Sequence, residues 1–456
     1  MRYVKMMGVA AAVALTLTAC GGGNGDGDGT AEGSDVDFSG EASGTLKTLA
    51  FNPGDEVGQS RADLAEEKLG GVTVEMDTAN FDAQKFATLA AAGNLPDVVQ
   101  MDRAFIATYA QKGLLMPMDD CFAAQEVDAG EYWYPAVVED VTWDGNIYAA
   151  PQFFQPSIII VNKAVTEPAG VTADQFDTSK PDELVALAGE LTQMKGAQPT
   201  TLGFDPDMPG SIATWFTVFG GGVMDDDGKP VIDDPKNVEA LTFLKELMEA
   251  QGGYAEVSSF KQTWDVFGDQ NQYVANQTAA GLWAQWYINV LAGAKDDVQL
   301  DAVPIKDLEG NPFAMAGGTA LAIPAQAKNP VAACQWITTV TSQEAWEAAG
   351  DARAKTVTEN DSINTGLFTG SPAADQAVRD AHVKESGNAD FDKLITTAYD
   401  SLADTRTLGA SPVGQPIDEA IKNAAGAALA GDKTPEQALA DAQAQAMTAW
   451  DALDNG

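Results

Sequence analysis

The chain has 456 residues, more than one compact core usually holds, so we expect two lobes or domains. Hydrophobic residues make up 45% of it and charged residues 20%, a balance typical of globular and not of disordered proteins. The formal net charge of −41 argues against nucleic acid and anionic lipid headgroups as partners, and we attribute it to solubility in a salty exterior.

The first 43 residues carry the pattern of an export signal and a tether. A short apolar run from residue 6 to residue 17 is too brief for a stable membrane span. The next residues, Ala-Cys preceded by Leu-Thr, resemble the lipobox of bacterial lipoproteins, which implies cleavage of a signal peptide 1–19 and lipidation of Cys20. A plain secretory leader with an incidental cysteine is the alternative. Residues 20–43 are rich in Gly, Asp and Ser, which predicts a flexible tether.

Strands and helices alternate in the predicted structure of the next 70 or so residues. Predicted strands cover 46–51, 72–76 and 97–101, and predicted helices cover 60–69, 82–92 and 105–113. This alternation predicts a mainly parallel sheet with helices on both faces. Ligands of such sheets bind beyond the carboxyl ends of the strands, where residues 52–55 and 102–103 lie.

We expect the chain to be organised around the segment 144–163. Asp144-Gly145-Asn146 is a tight-turn signal, and the apolar run 158–161 is typical of a strand covered on both faces. We expect this strand to leave one lobe and to enter a second, with the mixed patch 151–156 at the mouth of a cleft. An ordinary core strand after a loop is the alternative.

After residue 161 the chain becomes more helical. Predicted helices begin near residues 181, 235, 330, 417 and 435, and predicted strands cover 298–303 and 319–323. Thr434 opens the last helix with a capping-box pattern. The acidic run 225–228 lacks the distal glutamate of a calcium loop, so we favour a hairpin turn there.

The cysteines and the single histidine exclude several kinds of site. Cys121 and Cys334 remain after Cys20, and an export compartment permits a disulfide between them. Cys334, however, shares a helical stripe with apolar residues, so we favour a buried free thiol. The absence of any CxxC excludes a cysteine-based zinc site, and we expect no metal and no cofactor. His382 lies in a polar stretch and is interpreted as a solvated surface residue.

Six stretches, in the same order, resemble the extracellular solute-binding proteins of ABC importers, in the sugar-binding family that includes maltose-binding protein. They are residues 95–99, 102–115, 144–163, 278–286, 317–330 and 430–439. Each stretch alone is weakly specific, but together they cover nearly the whole chain from 46 to 452. One departure is Val161, which stands where many relatives have the tyrosine of Tyr-Asn-Lys.

The resemblance implies an α/β, two-lobed periplasmic-binding-protein-like fold with a ligand cleft at a multi-strand hinge. The implied first lobe comprises 44–157 and 302–349, and the second comprises 158–301 and the C-terminal helices 350–456. The implied function is that of a lipid-anchored, extracytoplasmic monomer. It captures a sugar by hinge closure and delivers it to the permease of an ABC importer, with no catalysis of its own.

Two other classes of protein stay open. A secreted glycosidase needs two carboxylates, and 67 acidic residues cannot exclude it. A Ser-His-Asp site would have to use His382, and the chain contains no GxSxG motif. A structural or adhesive lipoprotein is the second alternative, but it would need neither a hinge nor clustered tryptophans.

A sugar site needs flat aromatic faces for C–H groups and planar polar groups for hydroxyls. The resemblance implies ligand contacts at Asp102, Arg103, Gln155, Trp283, Trp286, Asp55, Gly318, Arg353 and Gln415. Two aromatic residues beside polar ones, Trp215 and Trp264, are added from composition. The tryptophan that maltose-binding protein carries near Gln415 is absent, so the resemblance does not specify a linear glucan.

Each aromatic or capping position also has a plainer interpretation. Trp283 and Trp286 are three residues apart, which is also the spacing of a helix core. Asp102 can cap the helix that begins near Arg103. Packing in the core is the favoured interpretation for the two tryptophans added from composition.

Overall fold

The computed structural model describes residues 36–207 and 211–453. The predicted signal peptide, Cys20 and most of the tether lie outside the described residues. Within these ranges the strands are β1 (Gly44–Leu49), β2 (Val72–Asp77), β3 (Val98–Asp102), β4 (Thr142–Trp143), β5 (Asn146–Ile147), β6 (Ala149–Pro151), β7 (Gln155–Asn162), β8 (Gln193–Lys195), β9 (Gln198–Thr201), β10 (Ala280–Ala284), β11 (Leu300–Val303), β12 (Ile305–Lys306), β13 (Pro312–Gly317), β14 (Thr319–Ala322) and β15 (Thr405–Arg406).

The α-helices of the same ranges lie between residues 56 and 451. They are α1 (Glu56–Lys68), α2 (Ala83–Ala91), α3 (Ile106–Gln111), α4 (Asp119–Ala124), α5 (Ala129–Tyr132), α6 (Pro135–Asp140), α7 (Lys163–Thr166), α8 (Pro181–Leu191), α9 (Ile212–Val218), α10 (Pro235–Ala250), α11 (Tyr254–Lys261), α12 (Trp286–Ala292), α13 (Pro330–Val340), α14 (Gln343–Glu359), α15 (Pro372–His382), α16 (Ala389–Asp400), α17 (Gly414–Leu429) and α18 (Pro435–Asp451).

The first sheet has the strand order β2-β1-β3-β14-β6. β1 pairs in parallel with β2 and β3, as the alternation of strands and helices predicts. β14 is antiparallel to both of its neighbours, because it returns from the second sheet rather than from a crossover helix. β3 ends at Asp102, so this residue lies at the carboxyl edge of the parallel strands, where ligands of such sheets bind.

The second sheet is built around β7, which pairs with β10, β11 and β13. All three pairings are antiparallel, so the expectation of a mainly parallel sheet does not extend to this half. The side chains of residues 158–161 are fully buried on both faces of the strand. Burial of both faces explains the uninterrupted apolar run that the sequence shows there.

The chain passes between the two sheets at two adjacent points, the two crossing segments, and a third time through the helices between β14 and β15. Gln152, Phe153 and Phe154 connect β6 of the first sheet to β7 of the second, and Gly318 alone connects β13 to β14. The two crossing segments are hydrogen-bonded strands, with Ala316 opposite Pro156 in the register. Paired strands with short connections form a hinge, in agreement with the predicted multi-strand crossing.

The packing of strands and helices supports lobe boundaries that differ from two of the predicted ones. β11 and β13 lie in the second sheet, so this half extends past the predicted end at residue 301. Helices α14 and α15 pack together and α14 packs against α1 of the first half, although the segment from 350 was assigned to the second lobe. We therefore propose that the lobes divide near Gly318 and again between α15 and α16.

The predicted turn at residue 144 and the predicted capping box at residue 434 are confirmed, whereas the predicted start of the first helix is corrected. Asp144 and Gly145 both have positive φ, as the predicted tight turn requires, and Thr434 forms the predicted capping box with Gln437. Helix α1 begins earlier than expected, because Asp55 caps it by accepting a hydrogen bond from the Gly58 amide at 2.7 Å. The prediction that Ser60 starts this helix is wrong.

The expected free thiol at Cys334 is also wrong. Cys121 and Cys334 form a disulfide, and their Cα atoms are 5.7 Å apart. Both residues are fully buried in the core beneath the first sheet, where α4 packs against α13. The apolar stripe of α13 correctly indicates burial, but it carries no information about a partner 213 residues away.

Further observations bear on the excluded site types. His382 is partly exposed, and its Nε2 lies 3.1 Å from the exposed Asp351 carboxylate, so the surface residue that the sequence predicts is packed against a neighbouring helix. Among the described residues, no group of histidine, cysteine and acidic side chains is arranged to hold a metal ion. No helix in the described part of the chain has the length and apolar character needed to span a bilayer.

Replacing both Cys121 and Cys334 by alanine should lower the free energy of unfolding by about 3 to 5 kcal/mol, because the disulfide restricts a long loop of the unfolded chain. Denaturant titration of the wild type and the double variant measures this difference. Reductant should reproduce the loss in the wild type and leave the variant unchanged. Equal stability of the oxidised wild type and the variant would contradict the structural role of the bond.

Candidate ligand-binding cleft

A cleft with a volume of about 370 Å³ lies where the two sheets meet. This volume falls within the range of small-molecule sites. The first half contributes the end of β3, and the second contributes β7, β10, the end of β13 and the loop before α9. Its polar and aromatic lining residues are Asp102, Arg103, Phe105, Asp140, Gln155, Ser157, Asp207, Ser211, Thr214, Trp286, Asp418 and Lys422.

Asp102 is the last residue of β3 and faces the cleft. One of its carboxylate oxygens accepts a hydrogen bond from the Ala104 amide at 3.0 Å, so the predicted cap is real. The side chain nevertheless retains exposed surface within the cleft. The surrounding walls remove water from the carboxylate, and this desolvation raises the pKa of Asp102, although the Ala104 amide and the Arg103 charge oppose the shift. Asp102 can therefore cap the turn and still accept hydrogen bonds from a ligand.

Arg103 is buried at the hinge and makes its contacts within the protein. Its Nε donates to Asp140 at 3.0 Å, and its terminal nitrogens donate to the carbonyls of Phe153 and, at 3.1 Å, of Ala316. These two carbonyls belong to the two segments that cross between the sheets. The guanidinium thus joins the first half to both crossing segments, which is a structural role next to the cleft.

Gly318 allows this close approach. A Cβ at this position would lie 2.1 Å from the Phe153 carbonyl oxygen and 2.3 Å from the Arg103 guanidinium. Real Cβ atoms do not come so near to backbone atoms, so any other residue would push the crossing segments apart. Its carbonyl also accepts a hydrogen bond from the Arg103 amide at 3.2 Å.

The opposite wall carries an acidic pair with one lysine. Asp205 is fully buried and accepts hydrogen bonds from the Lys261 ammonium at 2.6 Å and from the Asp207 amide at 3.1 Å. Asp207 lines the cleft beside it. Burial, followed by the nearby Asp205 carboxylate, raises the pKa of Asp207 to about 6, against the opposing charge of Lys261. Asp207 is a second carboxylate able to accept hydrogen bonds from a ligand.

Trp286 supplies the aromatic face of the cleft. It is the first residue of α12, with one residue between it and the end of β10, and it is partly exposed. Trp283 and Tyr287 stand perpendicular to it, with interplanar angles of 89° and 88°, and hold the ring in place. A fixed, partly exposed indole is suited to stacking against the C–H face of a sugar ring.

Helix α17 closes the third side of the cleft. Asp418 and Lys422 lie one turn apart and form an ion pair at 2.7 Å, next to the apolar side chains of Ile417 and Ile421. This pair offers both an acceptor and a donor to a polar ligand. The cleft therefore combines aromatic and apolar surface with planar polar groups from several elements.

The structure brings together five of the residues expected in the site. Asp102, Arg103, Gln155, Trp286 and Gly318 all line the cleft. Their contacts with a ligand stay predictions.

The other expected residues lie outside this lining. Asp55 caps α1, Arg353 pairs with Glu56 of α1, and Gln415 accepts a hydrogen bond from the Tyr109 hydroxyl at 2.9 Å. Each of these three polar groups already has a structural partner. None of the three lines the cleft, and their contacts with a ligand stay predictions.

The other three tryptophans that were expected in the site pack in the core of the second half. Trp283 stacks on Tyr287 with a centroid distance of 4.0 Å, and Trp215 is buried and donates to the Pro206 carbonyl. Trp264 is also buried. Packing, the plainer interpretation of these positions, describes all three side chains in this structure.

Sequence reasoning missed Asp207, Ser211, Thr214 and Lys422. The first three belong to a loop and a short helix that have no motif of their own. Lys422 had a usable signal, because it follows Asp418 by four residues on a helix already expected near the cleft.

A sequence profile described as "Bacterial extracellular solute-binding protein" matches residues 55–345. The chain belongs to this family. The family consists of binding proteins, in agreement with the expectation that this solute-binding protein is not an enzyme, and its description indicates a location outside the cytoplasm.

Individual relatives have low sequence identity to this chain. The arabinooligosaccharide-binding protein of Bacillus subtilis (strain 168) is 21% identical over 243 residues, which are 53% of this chain and 55% of that protein. This solute-binding protein thus spans about half the length of the curated relatives it matches.

Solved structures share the whole fold. CpMnBP1 with mannotriose bound superimposes with a TM-score of 0.71 at 21% identity, covering 88% of this chain and 99% of that one. UgpB of Mycobacterium tuberculosis with glycerophosphocholine superimposes with a TM-score of 0.66 at 19% identity, covering 90% and 99%. Likeness at this identity establishes the two-lobed fold of the solute-binding protein and not its ligand.

Substitution of Asp207 by asparagine should remove a pH dependence of ligand affinity. A ligand hydroxyl donates a stronger hydrogen bond to the ionised Asp207 carboxylate than to the protonated acid, so wild-type affinity should fall as the pH drops through about 6. Calorimetric titration between about pH 5 and about pH 8 measures this fall. Asp226→Asn, in an exposed turn, is the control and should behave like the wild type.

The same substitution should stabilise the free protein at high pH. The pKa of Asp207 is higher in the folded than in the unfolded chain, so the folded state loses stability as the pH rises from about 4 to about 6. Asp207→Asn should therefore raise the melting temperature near pH 8 more than near pH 5. A larger gain at the lower pH would contradict the raised pKa.

Replacement of Arg103 by methionine should lower the free energy of unfolding by about 3 to 5 kcal/mol, because it leaves Asp140 buried without a charged partner. Chemical denaturation measures the loss. The double variant with Asp140→Leu should recover part of it, since it no longer buries a lone carboxylate. Unchanged stability of the single variant would contradict the role assigned to Arg103.

Proposed function

We propose that the protein captures a sugar, either a mono- or an oligosaccharide, in the cleft between its two lobes. The observation that carries this proposal is the combination of Trp286 with Asp102, Asp207 and the Asp418–Lys422 pair around one cavity. Sugars present C–H faces and equatorial hydroxyls, and this lining offers a partner for each. Arabinooligosaccharide and mannotriose in the names of relatives support the same ligand class.

Capture would proceed by closure of the lobes. Asp102 belongs to the first half and Trp286 to the second, so a ligand that contacts both stabilises the closed arrangement. The crossing segments at Gly318 and Phe153 would act as the hinge. Binding energy in this scheme comes from contacts that exist only when the halves are close.

Delivery would require a partner in the membrane. We propose that the closed monomer docks on the transmembrane permease of an ABC importer and that a lipid on Cys20 keeps it near the membrane. Support for this part comes from the family assignment and from the lipobox pattern of the sequence. Metabolic labelling with a radioactive fatty acid, with Cys20→Ala as the unlabelled control, tests the anchor.

A thermal-shift screen against mono-, di- and oligosaccharides tests the ligand class, because a ligand that binds only the folded state raises the melting temperature. Trp286→Ala should abolish most of the shift, and Trp215→Phe, in the core, should preserve it. Glycerophosphocholine should cause no shift. Release of shorter sugars during incubation would support a glycosidase instead, and the absence of any shift with sugars would contradict the proposal.

A further inference from the structure

Phe267 is the most exposed large apolar side chain among the described residues. Its exposed fraction is 74%, against 44% for Met194 and 37% for Leu308. Single exposed apolar residues are common on protein surfaces, so exposure alone assigns no role. The position of the Phe267 ring relative to the cleft indicates a role.

The ring of Phe267 continues the aromatic surface of the cleft outward. It lies nearly parallel to the indole of Trp286, with an interplanar angle of 17° and a centroid distance of 5.8 Å. At this distance parallel rings are offset, so each leaves part of its face open. Trp286 lines the cleft whereas Phe267 does not, which places the phenyl ring beyond the cleft lining.

The loop that carries Phe267 is fixed by its neighbours. The Tyr287 hydroxyl donates to the Val266 carbonyl at 2.9 Å, and the same tyrosine stacks on Trp283. The Gly268 amide closes a turn onto the Asp265 carbonyl at 3.0 Å. A Cβ at Gly268 would lie 1.8 Å from the exposed Asp265 carboxylate, so a larger residue there would require this side chain to move. A ring held in place before binding loses little conformational freedom when a ligand stacks on it.

We propose that Phe267 is an outer stacking subsite for a sugar ring, and that the ligand is an oligosaccharide whose chain leaves the cleft across Trp286 and Phe267. This inference rests on the proposed function, because it assigns the ligand of the same cleft to a chain-length class. One ring stacks on Trp286 inside the cleft, and a later ring of the same chain stacks on the open face of Phe267. A monosaccharide would fill the cleft without reaching the phenyl ring.

Calorimetric affinities along oligosaccharide series test the inference. The probes are series of one to about six rings of mannose, glucose, arabinose and N-acetylglucosamine, each ring adding at most one stacking contact. Phe267→Ala should weaken binding of the longer members about five- to tenfold and change the shortest binding member less than about twofold. Phe267→Trp should retain the affinity for long chains. Met194→Ala is the matched control for loss of an exposed apolar side chain and should have no effect at any length.

The outcomes separate this inference from the proposed function. Failure of every sugar series to bind the wild type overturns both. Binding with an affinity that Phe267→Ala lowers equally at all lengths, or leaves unchanged at all lengths, overturns the outer subsite alone. Trp286→Ala should weaken all lengths, and melting curves confirm that each variant is folded.

Discussion

The contacts of one buried guanidinium determine how the two halves of the protein meet. Arg103 follows the last parallel strand of the first sheet, and it reaches the carbonyls of both segments that cross to the second sheet. Its charge is buried and is balanced by the equally buried carboxylate of Asp140. Gly318 is required there because no side chain fits between Arg103 and Phe153. The cleft, its polar edge and the hinge therefore depend on a single arrangement.

The charges around the cleft show how a binding site opposes stability. Asp207 stands next to the buried Asp205, and Asp102 has lost water to the cleft walls, so both carboxyl groups have raised pKa values. In the free protein, the loss of water around these two carboxyl groups lowers the stability of the folded state. A ligand that donates hydroxyl hydrogens to them replaces the hydrogen bonds of the lost water. The cost of desolvation is already present in the free protein, so these new hydrogen bonds favour binding.

The sequence allowed the fold to be predicted further than the site. Both faces of residues 158–161 are buried in β7, so the pattern and its cause agree, and the ordered motifs led to the correct family. The resemblance indicated Asp102 and Trp286, and both line the cleft, although their contacts with a ligand stay predictions. The partners of Gln415 and Cys334 could not be predicted, because Tyr109 and Cys121 come from distant parts of the chain. Local patterns indicate burial and secondary structure, whereas tertiary packing decides which polar groups stay free to bind.

The central claim is that the two halves close about the segments joined by Arg103 when a sugar binds between them. Small-angle X-ray scattering of the purified protein, free and saturated with the sugar that stabilises it most, tests this directly. The account predicts a smaller radius of gyration for the saturated protein than for the free protein. Identical scattering from the free protein and from the protein with calorimetrically confirmed ligand would contradict it.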